Sequence, residues 1–142
     1  MAFYLDTSAV GPFFIPDVHS TAVEAWLRTV RPRLVVGSFT AAEFSSVVSR
    51  ALRMKMRNAA EAAAILIEFD QWRAQSTAGR PLADADVNRA TLLIRDFRLK
   101  LRAPDALHLA MVVADGSTLV TFDDRLAEAA RAVSCPVVIP GE

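Results

Sequence analysis

The chain has 142 residues, a length typical of a single domain, and 53% of its residues are hydrophobic. That share and a formal net charge of zero, from 16 basic and 16 acidic residues, exclude a disordered chain and a uniformly basic protein that coats nucleic acid. The single cysteine, Cys135, excludes a disulfide framework and a zinc site built from several cysteines.

Short apolar runs typical of β-strands alternate with longer helical stretches along the chain. In chain order, we predict a strand over residues 2–5, a helix over 20–30, a strand over 34–36, helices over 40–57, 59–75, 84–97 and 104–114, a strand over 119–122, a helix over 124–132 and a strand over 137–139. Apolar strands separated by helices favour a mostly parallel sheet that is covered on both faces. We therefore expect one α/β domain over residues 1–142.

The chain shows no feature of a membrane or secreted protein. No run approaches the ~18 consecutive apolar residues of a membrane span, and the opening "MAFYLDTSAV" lacks the basic region of a signal peptide. We expect a soluble, cytoplasmic protein with no membrane contact.

Four acidic residues come at the ends of predicted strands or at the starts of predicted helices. Asp6 and Asp123 each end a strand, whereas Glu43 and Asp105 each lie in the first turn of a helix. In an open parallel sheet the carboxyl ends of the strands share one edge, where ligands bind. We therefore expect these four side chains, distant in sequence, to lie near one another.

Each acid also has an ordinary explanation at a helix start. Thr40 and Glu43 match a capping box, in which each side chain bonds the other residue's backbone N–H. Asp105 suits the first turn of a helix through the helix dipole, and Asp123 or Asp124 suits an N-cap position. These explanations stay open for each acid taken alone.

The four acids together favour a metal site. Asp6 could cap a short helix beginning at Ser8, but an acid directly after a buried strand is unfavourable without a partner. Carboxylates about 4–5 Å apart repel by about 3–4 kcal/mol per pair at an effective dielectric constant of 20. A hard divalent cation turns that repulsion into attraction, and oxygen ligands suit Mg²⁺ or Mn²⁺. Without metal, at least one of the four should have a raised pKa, because like charges crowd it.

Four stretches around these acids resemble the motifs of the PIN-domain nucleases, and among them the VapC-type toxins of toxin–antitoxin pairs. They are "YLDTSAV", "AAEF", "APDALHLA" and "LVTFDDRLAEAA", of which the last two are the more specific. The likeness spans nearly the whole chain. It implies a three-layer PIN-like domain with a central, mostly parallel sheet of four to five strands.

The resemblance also implies a function. Asp6, Glu43, Asp105 and Asp123 would be the acidic metal ligands, with Asp124 as the alternative to Asp123. Residues Thr7 and Ser8 would hold the ligands or the attacking water by hydrogen bonds. The expected activity is a Mg²⁺-dependent endoribonuclease, with Mn²⁺ as a substitute, that leaves 5′-phosphate and 3′-hydroxyl ends and inhibits translation and growth. RNA as substrate, a homodimer and a cognate antitoxin follow from the same resemblance.

Basic residues suggest a path for the RNA backbone. Arg50, Arg53 and Arg57 are spaced three and four residues apart on the predicted helix that carries Glu43, as a phosphate track would be. The alternative is a solvated helix face with Arg57 paired to Glu61. Further basic candidates are Arg31, Arg33 and Arg102.

The two histidines differ in what they indicate. His108 lies three residues after Asp105 on the same side of a helix, as a metal ligand could, but the helix is apolar on most sides. A buried, hydrogen-bonded histidine is therefore the favoured interpretation. His19 follows a Pro-Asp turn and indicates no function.

Other function classes fit less well. A phosphatase of the haloacid dehalogenase type would have a second Asp two residues after Asp6, where this chain has Ser8. The chain lacks the paired acids that a receiver-type signalling domain would have, and it contains no phosphate-binding GxxxxGK[ST] loop. A catalytically silent PIN-like binding module stays open as an alternative.

Overall fold

A computed structural model describes residues 1–30 and 33–142. Within these ranges the elements are β1 (Ala2–Leu5), α1 (Thr7–Phe14), α2 (Ser20–Val30), β2 (Arg33–Val35), α3 (Ser38–Arg53), α4 (Ala59–Ser76), α5 (Asp84–Arg95), a 3-10 helix (Phe97–Leu99), α6 (Ala103–Asp115), β3 (Thr118–Val120), α7 (Asp124–Ala132) and β4 (Val137–Val138). Arg31, one of the basic candidates, lies outside the described residues. No helix among those described is long and apolar enough to cross a membrane.

The described strands form one sheet in the order β2-β1-β3-β4, and every pair is parallel. Tyr4 lies opposite Val35 on one side and Leu119 on the other. A single parallel bridge between Val35 and Ala78 adds a short fifth segment beyond β2. The predicted α/β fold, with a mostly parallel sheet of four to five strands, is confirmed.

Helices cover both faces of the sheet because successive residues of a strand point to opposite sides. Tyr4 packs in a cluster with buried residues of α6 and α7, whereas Leu5 packs with buried residues of α1, α3 and α4. Leu119 and Val120 divide between the same two clusters. This arrangement is the expected three-layer domain.

Two of the predicted strands are displaced. β2 covers Arg33–Val35 instead of 34–36, and β3 covers Thr118–Val120 instead of 119–122. Thr121 turns out of β3, where its hydroxyl bonds Asp6 and the backbone N–H of Asp123. Asp123 therefore does not end the strand directly, as predicted, but follows it after a two-residue turn.

The start of α3 contradicts the capping-box interpretation. The N-cap is Gly37 and not Thr40, whose hydroxyl is buried and donates to the Leu5 carbonyl oxygen. Glu43 therefore lies in the second turn of α3, beyond the reach of a capping role. A Cβ at Gly37 would come within 2.9 Å of the Arg80 carbonyl oxygen, so glycine permits the close approach of that segment.

The end of α3 also differs from the prediction of a helix over 40–57. Lys55 takes the left-handed conformation with φ 58°, and the Met56 N–H bonds the Ala51 carbonyl oxygen at 2.9 Å. This pattern closes a helix C-terminus. The helix ends at Arg53, and Arg57 lies in the turn before α4.

The topology brings the helix starts to one edge. α1, α3 and α7 each begin within a few residues of the carboxyl end of β1, β2 and β3 respectively. The backbone N–H of Asp6 donates to the Val120 carbonyl oxygen at 3.3 Å, which joins two of these ends. Side chains at these starts therefore share the edge at which parallel α/β sheets bind ligands.

Candidate active site

Asp6 lies at the centre of the sheet edge and is 4% exposed. It caps α1, as one interpretation expected, although the helix begins at Thr7 rather than Ser8. Its Oδ1 accepts hydrogen bonds from the Ser8 hydroxyl (2.7 Å) and the Ala9 N–H (3.1 Å), and its Oδ2 accepts one from the Thr121 hydroxyl (2.7 Å). Burial raises the pKa of Asp6, and these hydrogen bonds oppose that rise only in part.

Glu43 reaches the same edge from α3. Its Oε1 accepts hydrogen bonds from the Thr7 hydroxyl at 2.7 Å and from Nε2 of His108. Burial disfavours the charged carboxylate, but the bonds from His108 and Thr7 outweigh it and hold the pKa of Glu43 below its ordinary value. Both donors meet Oε1, so Oε2 is left for another ligand.

A buried chain of hydrogen bonds connects Glu43 to Tyr4 through His108. His108 is 3% exposed, its Nδ1 lies 2.6 Å from the Tyr4 hydroxyl, and its Nε2 bonds Glu43. A neutral imidazole protonated at Nε2 satisfies both contacts, with Tyr4 as donor to Nδ1. Burial raises the pKa of Tyr4, which keeps this hydroxyl protonated. The predicted buried, hydrogen-bonded His108 is confirmed, but its partner is one of the candidate acids.

Asp105 and Asp123 lie at the more open part of the edge. Asp105 is in the first turn of α6, and burial raises its pKa, with the negative charges of Asp123 and Glu43 adding to the rise. Asp123 caps α7 by accepting the Leu126 N–H at 3.1 Å. The expected rise in pKa therefore occurs at Asp105 and at Asp6, but its first cause is burial rather than crowding by like charges.

Asp123 and Asp124 differ in position. Asp123 lines a cleft of ≈ 470 Å³ together with Asp105, Arg102 and Arg125, which we call the arginine cleft. Asp124 is exposed and does not line this cleft. The geometry thus favours Asp123 of the doubled acid.

A model of the PIN domain matches residues 3–132. The chain belongs to the PIN domain family. Among its relatives in Mycobacterium tuberculosis, Ribonuclease VapC46 is 31% identical over 98% of both chains, and Ribonuclease VapC35 is 35% identical over 98% of this chain and 97% of its own. A solved toxin–antitoxin complex from Klebsiella pneumoniae shares the fold, with a TM-score of 0.67 and 18% identity over 100% of this chain and 99% of that one.

Thr121 is a residue of this PIN domain that the sequence analysis missed. Its hydroxyl donates to Asp6, accepts from the Asp123 N–H at 3.0 Å and lies 3.1 Å from the Ser8 hydroxyl. It therefore links two candidate acids from β1 and β3. A hydroxyl residue one position after an apolar strand, in register with Asp6, is the signal that could have found it.

The donor set fits a hard divalent cation. All four acids offer oxygen, the ligand atom that Mg²⁺ and Mn²⁺ prefer. No buried side-chain polar atom in the described part of the chain lacks a hydrogen-bond partner, so the oxygens left without one, such as Oε2 of Glu43, face solvent. Among the described residues, however, no three acidic, histidine or cysteine side chains are grouped as an ion would hold them. Binding one ion with three of them requires side-chain movement.

The arginines of the PIN domain do not form the predicted three-residue stripe. Arg50 and Arg53 are exposed in the last turn of α3, as expected. Arg57 is beyond the helix and pairs with Glu61 at 3.8 Å, so its assignment to the stripe is wrong. Arg33 begins β2, at the opposite edge of the sheet from the acids.

Two other arginines lie beside the acids. Arg102 precedes α6 and Arg125 is the second residue of α7, and both line the arginine cleft with Asp105 and Asp123. Neither forms an ion pair with any described residue. Arg102 was a candidate from sequence, whereas Arg125 was missed although the helix that carries it was predicted with the correct bounds.

Proposed function

We propose that this PIN domain is a divalent-cation-dependent endoribonuclease that acts as the toxin of a toxin–antitoxin pair. The observation that carries the proposal is the placement of four acidic side chains along one sheet edge, beside a solvent-open cleft with two arginines that form no ion pair with any described residue. The relatives named as ribonucleases support RNA as the substrate.

In this proposal Asp6, Glu43, Asp105 and Asp123 hold Mg²⁺, for which Mn²⁺ substitutes. The cation supplies Lewis acidity toward a phosphodiester and lowers the pKa of an attacking water. Asp6 and Glu43 are the oriented ligands, because hydrogen bonds from neighbouring side chains fix their carboxylates before any ligand binds.

The hydroxyls have a positioning role. Ser8 donates a hydrogen bond to Asp6, and Thr7 donates one to Glu43. Each hydroxyl therefore holds the orientation of its carboxylate during the reaction. Arg102 and Arg125 bind phosphates of the RNA beside the cleaved bond, with Arg50 and Arg53 on a more distant path. Hydrolysis of the P–O3′ bond leaves a 5′-phosphate and a 3′-hydroxyl.

The partners belong to the same proposal. We infer a cognate antitoxin, supported by the fold shared with the Klebsiella pneumoniae toxin–antitoxin complex, and a homodimer. Light scattering on the purified chain should give twice the monomer mass of 15.5 kDa. A monomer at micromolar concentration would contradict the dimer without affecting the nuclease.

The test of activity compares two neighbouring acids. Purified protein is incubated with total cellular RNA in Mg²⁺, Mn²⁺ or EDTA, and Asp6→Asn, Asp123→Asn and Asp124→Asn are run in parallel. We expect cleavage only with metal and a loss of more than about 100-fold in Asp6→Asn and Asp123→Asn. Asp124→Asn is the matched control and should cleave normally. Cleavage that persists in EDTA or in Asp6→Asn would overturn the proposal.

A further inference from the structure

A second cleft opens on the other side of Asp123. It has a volume of ≈ 320 Å³ and is bordered by Thr7, Ser8 and Asp123 on the side of the acids. Its remaining wall is mostly apolar, with Gly11, Pro12, Ile15, Val47 and Phe122, and it is completed by Asp17 and His19. We call it the aromatic cleft. Since Asp123 lines both clefts, a ligand held at the acids extends into either of them.

Two stacked rings line the aromatic cleft. The imidazole of His19 and the ring of Phe122 are nearly parallel, with centroids 4.2 Å apart and an interplanar angle of 16°. His19 is exposed and Phe122 is half-buried against the core. The pair therefore presents flat π surface at the rim of a site that already contains the candidate acids.

Hydrogen bonds fix the backbone at both rings. The Phe122 N–H donates to the Ser8 hydroxyl at 2.9 Å, and Ser8 in turn donates to Asp6. The His19 N–H donates to Asp17 at 2.8 Å, and the neighbouring Ser20 hydroxyl donates to the Pro12 carbonyl oxygen at 2.6 Å. The position of Phe122 is thus fixed by the same network that fixes Asp6.

We propose that the aromatic cleft is a nucleobase subsite, which receives the unstacked base next to the cleaved phosphodiester of a single-stranded RNA segment. This inference rests on the proposed nuclease function and adds the place where a base of the substrate is held. A base in the aromatic cleft and backbone phosphates in the arginine cleft place the bond between them beside Asp123. Sequence-specific readers of RNA recognise splayed bases by stacking on aromatic or histidine rings.

A base fits this cleft better than an apolar side chain of a partner protein. The wall is mostly apolar and aromatic, but its inner border is the acid-and-hydroxyl edge, where the cation of the proposed function would bind a phosphate rather than a peptide bond. A duplex is disfavoured, because its bases are not available for stacking in a cleft. The base that enters the cleft is therefore an unpaired one.

The binding test uses Asp6→Asn protein, which does not cut, and short RNAs that carry 2-aminopurine at successive positions. Stacking quenches this fluorophore. We expect quenching at one position next to the cleavage site and a Kd raised about 5- to 100-fold by His19→Ala or Phe122→Leu. Phe97→Leu is the matched control, since Phe97 is 82% exposed and lies outside both clefts. His19→Ala removes an exposed side chain, so it separates binding from any loss of packing in Phe122→Leu.

Cleavage by otherwise unchanged protein then separates the two proposals. If the parent cuts RNA and His19→Ala raises KM and broadens the bases found at the cut, the subsite is supported. If the parent cuts RNA but both variants keep its KM and base distribution, the subsite is overturned and the nuclease stands. Quenching lost equally in Phe97→Leu would also overturn it, as would a parent that cuts no RNA.

Discussion

The two halves of the acidic edge differ in how firmly their carboxylates are held. Asp6 and Glu43 accept hydrogen bonds from the side chains of Ser8, Thr121, Thr7 and His108. Asp105 and Asp123 accept none from a side chain in the described part of the chain. The first pair is therefore oriented by the folded protein, and the second pair is free to adjust.

This difference suggests a division of work in metal binding. Fixed ligands lower the entropic cost of binding an ion, whereas adjustable ligands let the site accept the ion and substrate together. The pKa values separate one member of each pair, Glu43 from Asp105, while burial raises the pKa of Asp6 on the fixed side as well. The pKa of Glu43 is held below its ordinary value by its partners, whereas that of Asp105 is raised by burial and by its acidic neighbours. Substitutions on the two sides should therefore have different consequences.

The largest effect on stability is expected on the fixed side. His108→Ala leaves the buried Tyr4 hydroxyl and the Glu43 carboxylate each without a partner, and each such loss costs about 1–3 kcal/mol. We expect the free energy of unfolding to fall by about 2–4 kcal/mol, measured by urea denaturation at pH 7. His19→Ala, at an exposed position, is the control and should change it by less than about 0.5 kcal/mol. Equal effects from the two variants would mean that the buried chain does not support the edge.

Metal should stabilise the protein by mass action. At a concentration 100 times Kd, a ligand that binds only the folded state adds about 2.7 kcal/mol, which corresponds to about 5–10 °C in Tm for a chain of this size. We expect this shift with Mn²⁺ or Mg²⁺, and a smaller one in Asp105→Asn at the same concentration. An unchanged Tm in millimolar metal would contradict a site at this edge.

His108→Ala should weaken Mn²⁺ binding by about 10- to 100-fold in calorimetry, because it frees Glu43 to rotate.

The sequence predicts which acids share the edge, but it does not predict their hydrogen-bond partners. Alternating apolar strands and helices predict the parallel sheet, and the sheet rule then predicts that Asp6, Glu43, Asp105 and Asp123 share an edge. Both inferences depend on repeating patterns that survive small errors in element bounds. The predicted helix over 40–57 was wrong at both ends, yet Glu43 still reached the edge.

Partners of the acids depend on register, which sequence patterns define poorly. The capping box at Thr40 was wrong because the N-cap is Gly37, three residues earlier, and the Thr40 hydroxyl donates to the Leu5 carbonyl oxygen of β1. The bond between Thr121 and Asp6 needs β1 and β3 in one particular register. The stack of His19 on Phe122 joins residues 19 and 122, and no local pattern predicts that these two rings meet.

An intermediate loss of stability is expected when the Tyr4 hydroxyl, which contacts His108, is removed. Tyr4→Phe keeps the ring in the core and removes only the donor to Nδ1 of His108, so the imidazole loses one hydrogen bond while Glu43 keeps its own. We expect a loss of about 1–2 kcal/mol in urea denaturation, smaller than for His108→Ala. Combining the two changes should cost little more than His108→Ala alone, because the hydroxyl then has no partner to lose. Full additivity would show that Tyr4 and His108 act independently.

The smallest changes in the free energy of unfolding are expected at Glu43 and Asp105, with opposite signs. Folding favours the charged form of Glu43, so at pH 7 Glu43→Gln should lower the free energy of unfolding. Folding disfavours the charged form of Asp105, so Asp105→Asn should raise it when no metal is present. Both groups are partly exposed, so we expect changes of up to about 1 kcal/mol. Asp124→Asn is the exposed control and should change stability by less than either.

The stability differences of Glu43→Gln and Asp105→Asn should both depend on pH. Stability from Glu43 is present above its ordinary pKa of about 4.3 and is lost as the pH falls through its lower folded value, so the deficit of Glu43→Gln should shrink in acid. The penalty at Asp105 exists only where the carboxylate is charged, so the gain of Asp105→Asn should vanish below about pH 4. Saturating Mg²⁺ should reverse the sign at Asp105, because only the parent then gains a ligand for the ion. The same sign for both variants at pH 7 without metal would mean that folding does not shift the pKa values of Glu43 and Asp105 in opposite directions.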